Sequence, residues 1–177
     1  MKDITTTSFG LLIAFFLPGL AGFYSLTFWW DSVKILFNTF LTAQSNVGLF
    51  FLVIGGALII GLQITLFRWI IFECIICRKY RLKPTAFEKL GTSKDKLEAF
   101  GEVVNAHYRY HQFWGGLSIT IPIFFFGLYL TSSCDWTSYK KGWAIAAAIV
   151  IEIVTISGAI QAYINYTNRG KKILDGG

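Results

Sequence analysis

Four long apolar stretches alternate with short polar ones along the chain. They occupy about residues 9–30, 47–72, 113–130 and 143–163. A helix needs about 20 predominantly apolar residues to cross a hydrocarbon core roughly 30 Å thick, and each stretch is close to that length. What remains is a short head, two loops, one longer segment at 73–112 and a short tail, too little for a separate soluble domain. The pattern predicts an all-α, polytopic membrane protein with four transmembrane helices, forming a single domain over 1–177.

The longer segment carries helical patterning of its own. The second helix can continue from Val47 to Cys77, about 46 Å at 1.5 Å per residue, so its end projects beyond the bilayer. Pro84 breaks it, and TAFEKLG then reads as a one-turn helix with Thr85 as N-cap, Glu88 closing a capping box and Gly91 as the stop. From Thr92 or Ser93 the pattern is helical into the third span, with Leu97, Phe100, Val104, His107, His111 and Trp114 at three- and four-residue steps. In the first loop, DSVKILFNTFLTAQSN places Val33, Leu36, Phe37, Phe40 and Leu41 on one helical face, which predicts a short helix lying on the outer membrane surface.

Composition agrees with a bilayer and charge orients the chain in it. Of 177 residues 54% are hydrophobic and 15% charged, too greasy a balance for a soluble domain. Thirteen of the sixteen Lys and Arg residues fall on one side of the predicted spans and three, Lys34, Lys140 and Lys141, on the other. The positive-inside rule then gives an N-in/C-in topology, with the second and third helices extended into the cytosol as a cytoplasmic helical segment at 73–112. The net charge of +6 is a topology signal, and the basic residues face anionic lipid, with no direct nucleic-acid binding expected. A cleaved leader is disfavoured, because Met1-Lys2-Asp3 lacks net positive charge and the first apolar run is too long.

Candidate chemistry is sparse. Cys74-x-x-Cys77 and His107-x-x-x-His111 have zinc-like spacings, but the intervening segment is too long for a zinc finger and both cysteines sit in an apolar helical context, so neither metal nor cofactor is expected. On this topology Cys134 lies across the membrane from Cys74 and Cys77 and cannot pair with them. There is no P-loop, no G-x-S-x-G and no carboxylate pair at membrane depth, so the chain is not read as an enzyme. Glu152, near the centre of the fourth span, is different: an isolated charge there costs about 2.5–3.5 kcal/mol on the mild insertion scale. It calls for protonation, a hydrogen bond to Thr155, Gln63 or Thr65, or a cavity shared between subunits. Small residues at helix-packing spacing, Ala14, Pro18 and Gly22, Ala57 and Gly61, and Ala144, Ala148, Gly158 and Ala162, mark packing surfaces within one subunit or between copies in a homo-oligomer. Pro18-Gly19 marks a break in the first span, and Gly115-Gly116 allow a close helix approach or a bend; Pro18, Gly19, Gly22, Gly61 and Gly116 are thus candidate hinge or packing positions.

The densest stretch is HYRYHQFWGG, residues 107–116. It lies where the third helix enters lipid, so Tyr108, Tyr110, Phe113 and Trp114 read as an interfacial aromatic belt, and Arg109 as a headgroup-depth cation able to pair with Glu73 or Glu102. This stretch resembles the H-Y-R-Y-Y-Q-F-Y-G-N signature of a large group of small multi-spanning bacterial membrane proteins. FGLLIAFFLPGLAGFYSL resembles their first span with its Pro-Gly break, and RWIIFE the end of their second, so the likeness covers roughly residues 9–130. The chain departs from the signature at His111, where the family has tyrosine, and at Gly116, where it has asparagine; the first departure further weakens a zinc site. The resemblance implies that His107, Tyr108, Arg109, Tyr110, Gln112, Phe113 and Gly115 form a functional or assembly motif. Proteins of this build resemble membrane components of anti-phage defence systems, among them the four-span component of Kiwa, which is paired with a cytosolic DNA-binding protein.

Three functions follow as expectations. The first is a small oligomeric sensor or anchor in the bacterial inner membrane, docking a cytosolic effector protein on Arg78, Lys79, Arg81 and Lys83. The second is a channel-forming effector with Glu152 in an oligomeric pore. A small transporter comes last, because neither an internal repeat nor a second intramembrane charge is present.

Overall fold

In a bilayer every backbone polar group must find its partner inside the protein, and helices do so within a single segment. The computed structural model describes residues 10, 12–42, 47–82, 87, 93–131 and 138–175, with no strand among them. Among the described residues five long helices follow in order, α1 (Leu12–Phe28), α2 (Asp31–Thr42), α3 (Val47–Ile76), α4 (Lys94–Thr131) and α5 (Ser138–Asp175), with a short 3-10 turn, Arg78–Tyr80, after α3. Helices α3, α4 and α5 are long and apolar enough to cross a membrane, and α1 with α2 adds a fourth crossing if that bent pair is one span. The chain is therefore an all-α, multi-pass membrane protein. Its predicted Pro84 break, the Thr85, Glu88 and Gly91 signals, Lys83 and Cys134 lie outside the described residues.

Small residues let α1, α3 and α4 meet closely, which matters because lipid supplies no hydrophobic drive for helix association. A Cβ on Gly19 would overlap the Ala57 carbonyl and lie 2.8 Å from the Gly61 backbone; one on Gly61 would overlap the Phe15 carbonyl. Gly22 faces Ile60, Ile64 and Thr120, and Gly116 lies against Pro18. Pro18, Gly19, Gly22, Gly61 and Gly116 thus join at one place inside a single chain, and Ala14 and Ala57 are buried there with them.

Pro18-Gly19 and Gly115-Gly116 both lie within helix and both make close contacts. Residues Arg109–Thr131 form uninterrupted α-helix through Gly115-Gly116. In α1 a π turn, Leu12–Phe16, widens the helix just before Pro18, whose missing N–H disturbs the ordinary hydrogen-bond ladder, and α-helix resumes at Leu17–Ser25. The sharp turn, 118°, comes at Trp29-Trp30 between α1 and α2.

Helix α2 also departs from expectation. Val33, Leu36, Phe37 and Phe40 pack on Phe23, Leu20, Val53 and Ile60, so the apolar face covers the chain's own α1 and α3. Leu41 is 71% exposed and off that face.

At the other end lies a second small core, Leu82, Phe100 and Leu174 with Val104 and Tyr166. The fourth predicted span was expected to stop near 163, followed by a tail. Instead α5 runs to Asp175, and Ala159, Tyr163, Thr167, Gly170 and Leu174 form a continuous buried stripe. Leu97, read on the apolar stripe of α4, is exposed, while Phe100 and Val103 are buried. Exposed Arg78, Lys79, Arg81, Arg169, Lys171 and Lys172 surround this end. Gly10 lies against Arg109, so both described ends of the chain share one end of the bundle, the basic one.

The glycine contact yields a stability prediction. Gly61→Ala puts its methyl into backbone that cannot yield and should cost about 1–3 kcal/mol. Gly55→Ala, with nothing within 4 Å of its Cβ, should be neutral or slightly stabilising. Thermal unfolding of the two variants side by side in mild detergent checks this, and equal midpoints would refute the close crossing.

Candidate functional site

The polar group of greatest consequence sits where α3 and α4 approach the basic end. Arg68 and Glu73 are five residues apart on α3, and in an α-helix residues five apart point about 140° away from each other. Here residues Trp69–Ile76 form a π-helix, whose i→i+5 pattern stacks such residues on one face. The Arg68 Nη1 consequently donates to Glu73 Oε1 at 2.9 Å, with the side chains 2% and 11% exposed.

A second π segment, Val104–Tyr108, faces it from α4. Its last residue, Tyr108, donates its hydroxyl to the same Glu73 Oε1 at 2.9 Å, and the guanidinium lies 5.8 Å from the Tyr108 ring centre. Two turns on, a Cβ at Gly115 would be 2.9 Å from the Arg68 stem, so only glycine leaves the guanidinium its path.

His111 brings in the third helix. Its Nδ1 is 2.9 Å from the Ala159 carbonyl of α5; a carbonyl only accepts, so Nδ1 carries the proton in that bond. The ring packs among Phe72, Tyr108 and Tyr163, and Tyr166 continues the aromatic wall against Tyr108. His111 Nε2 stands 3.9 Å from Glu73 Oε1 without a hydrogen bond, and Arg68 Nε is likewise buried and unpartnered. The cluster therefore ties α3, α4 and α5 together through one carboxylate and one imidazole.

The residues of HYRYHQFWGG thus separate by direction. Tyr108, His111 and Gly115 point into the cluster, while Gly116 meets Pro18 and Trp114 covers Gly158. Arg109 lies against Gly10, and Glu73 Oε1 accepts from Arg68 and Tyr108. Tyr110 is exposed; Gln112 and Phe113 are half-buried, with Phe113 edge-on to Trp114. His107 is half-buried, with a shielded and unpartnered Nε2. Cys77 is buried and Cys74 half-buried, both as free thiols, and among the described residues no three His, Cys, Asp or Glu side chains group as metal ligands.

Glu152 occupies a separate place, a groove of about 260 Å³ between α4 and α5 lined by Ile121, Pro122, Phe125, Ala148, Ile149 and Ile153. Its Oε2 has no hydrogen-bond partner. The threonines expected to serve it are engaged elsewhere: Thr65 donates to the Gly61 carbonyl and Thr155 to the Glu152 backbone carbonyl, and Gln63 is exposed.

Sequence reasoning named Tyr108 and Gly115, set His111 aside as a departure, and missed Arg68 as Glu73's partner. The available signal was a basic and an acidic residue inside one apolar run, RWIIFE, where neither can remain alone. Compared with protein-family models, curated proteins and solved structures, the chain matches none.

Breaking a buried pair by removing one partner costs about 3–5 kcal/mol, since the other charge is left uncompensated. Arg68→Met should therefore destabilise strongly, whereas Arg68→Met with Glu73→Met should recover most of the loss. Unfolding curves for both single variants and the double variant measure the coupling, and strict additivity would show that the pair contributes nothing.

Proposed function

We propose that this protein is a sensor or anchor in the bacterial inner membrane that docks a cytosolic effector on its basic end, as part of anti-phage defence. The observation that carries the reading is the placement of the Arg68–Glu73–Tyr108–His111 cluster. It lies between the close-packed α1–α3–α4 crossing and the small core of Leu82, Phe100 and Leu174. A shift in how the spans pack moves Gly115 and the Arg68 stem over it, and with them the carboxylate that Tyr108 shares. His111 stands 3.9 Å from the same carboxylate oxygen without bonding to it, so its ring bears on the cluster by packing and passes a movement of α5 on to Glu73.

The Lys and Arg bias supports an N-in/C-in orientation, putting the basic end in the cytosol. There Arg78, Lys79 and Arg81 stand exposed near Arg169, Lys171 and Lys172, a face suited to acidic protein surface or anionic lipid headgroups. The likeness of HYRYHQFWGG to a bacterial membrane-protein signature, and of the whole build to the four-span Kiwa component, supports the defence setting. A channel-forming effector is the second reading, favoured by Glu152 in the groove between α4 and α5, its Oε2 shielded and unpartnered.

A tag at the C-terminus and extraction from the native host in mild detergent should recover a soluble protein in stoichiometric amount. Reversing Arg78, Lys79 and Arg81 to glutamate should lower that recovery by on the order of tenfold without reducing membrane insertion. Recovery that ignores the charge reversal would remove the docking face from the proposal.

A further inference from the structure

Helix α5 is held within the chain over only half its length. From Ala159 to Leu174 its stripe is buried, whereas Trp143, Ile145, Ile149, Val150, Ile153 and Val154 are exposed. Within its most apolar window 11% is buried inside the chain, against 22% for α3 and 28% for α4. In the middle of this open half lies the groove with Glu152, walled by α4 through Ile121, Pro122 and Phe125 and by α5 through Ala148, Ile149 and Ile153.

Lipid chains satisfy the apolar walls of such a groove. They bring no donor or acceptor to mid-bilayer, so beside lipid the Glu152 carboxyl remains as uncompensated as the chain leaves it. The occupant has to carry a polar group at the same depth. A second copy of this chain does so by construction, because its own Glu152 arrives at that depth when the two α5 helices cross there.

We propose that the Glu152 groove is a self-association surface, in which α5 of one copy packs against α5 of another about a two-fold axis near Glu152. A carboxyl that carries its proton both donates and accepts, so two of them meeting across the axis satisfy each other. The shape is self-complementary in the same sense. Ala148 leaves a hollow on the face where Ile149 and Ile153 project, so each copy offers both knob and hole, and the contact closes as a dimer. This surface lies about two turns along α5 from the Ala159 carbonyl that His111 holds, and the proposal does not depend on the sensor and anchor reading.

The test is energy transfer between donor- and acceptor-labelled full-length chains in vesicles of phosphatidylethanolamine and phosphatidylglycerol, followed as lipid dilutes the protein. Wild-type transfer should fall with dilution. Glu152→Leu removes the polar pair, and Ala148→Phe fills the hollow without touching it. Each should raise the mole fraction of protein at half-association by roughly three- to thirtyfold. Leu62→Ala, on the exposed face of α3, should leave it in place. No transfer at the highest protein density, or transfer indifferent to both α5 variants, overturns the proposal and leaves the groove to lipid or another protein. Should Glu152→Leu fail to insert, Ala148→Phe decides together with oxidative cross-linking of Ile153→Cys against the parent chain. A cross-linked dimer is then expected, and its absence beside an unmoved Ala148→Phe rejects the contact.

Discussion

Burying a guanidinium and a carboxylate near a membrane costs several kcal/mol per ion, and their attraction offsets this only when the remaining polar atoms are also served. The Arg68–Glu73 pair meets that condition at the carboxylate through a neighbour on another helix, while Arg68 Nε stays buried and unpartnered. Glu73 Oε1 takes a hydrogen from Arg68 and another from Tyr108, and the guanidinium has the Tyr108 ring beside it. The register of α4 against α3 is thereby fixed to about one residue, since the next position would present Arg109 or His107 to the carboxylate. The π segments on both helices and the glycine at 115 are then requirements of this contact: the first aligns residues five apart, the second aims Tyr108, and the third clears a path for the arginine stem.

The rest of the packing follows from what the pair leaves undone. It joins α3 to α4, and His111 adds α5 through one carbonyl, but nothing in it reaches α1. That helix is held by surface fit: Gly19 on Gly61, Gly22 beside Ile64 and Thr120, and Pro18 on Gly116. In lipid such close backbone approach gains dispersion contacts that larger side chains would prevent. Aromatic and aliphatic packing closes the two ends, around Phe23, Phe37 and Val53 at one and Leu82, Phe100 and Leu174 at the other. The chain is consequently well knit along α1, α3 and α4 and at its basic end, and less closed beside the Glu152 groove, where α5 rests on α4.

Sequence alone made the spans legible because twenty-residue apolar runs have one common explanation in a chain this rich in them. It also gave α3 to within a residue of its end, since RWIIFECIIC continues the apolar run, and the unbroken entry of α4 into its span. What escaped has identifiable causes. The Arg68–Glu73 pair has a spacing that α-helical reasoning places on opposite faces, and no residue type announces a π-helix. Gly115-Gly116 allowed either a close approach or a bend, and periodicity could not name the partners they meet, the Arg68 stem and Pro18. The extension of α5 was readable: Ala159, Tyr163, Tyr166, Thr167, Gly170 and Leu174 keep three- and four-residue steps, but charges and asparagines among them looked like a tail. Helix α2 was recognised as amphipathic, while periodicity cannot say whether an apolar face covers lipid or its own chain.

His111 shows how the site and the fold constrain one another. A tyrosine at this position, as in the resembling signature, would bring a hydroxyl to the end of a longer ring, whereas the shorter imidazole reaches the Ala159 carbonyl by Nδ1 and keeps Nε2 within 3.9 Å of Glu73. One side chain thus faces a backbone acceptor on α5 and the carboxylate on α3. Moving α5 along its axis by even half a turn would break the first contact, and moving α3 would alter the second. Because both run through one ring wedged among Phe72, Tyr108 and Tyr163, the two displacements cannot be made independently. On the proposed reading this is what carries a change in span packing to the basic end: the helices differ in how tightly they are held, but they share the ring through which they must move.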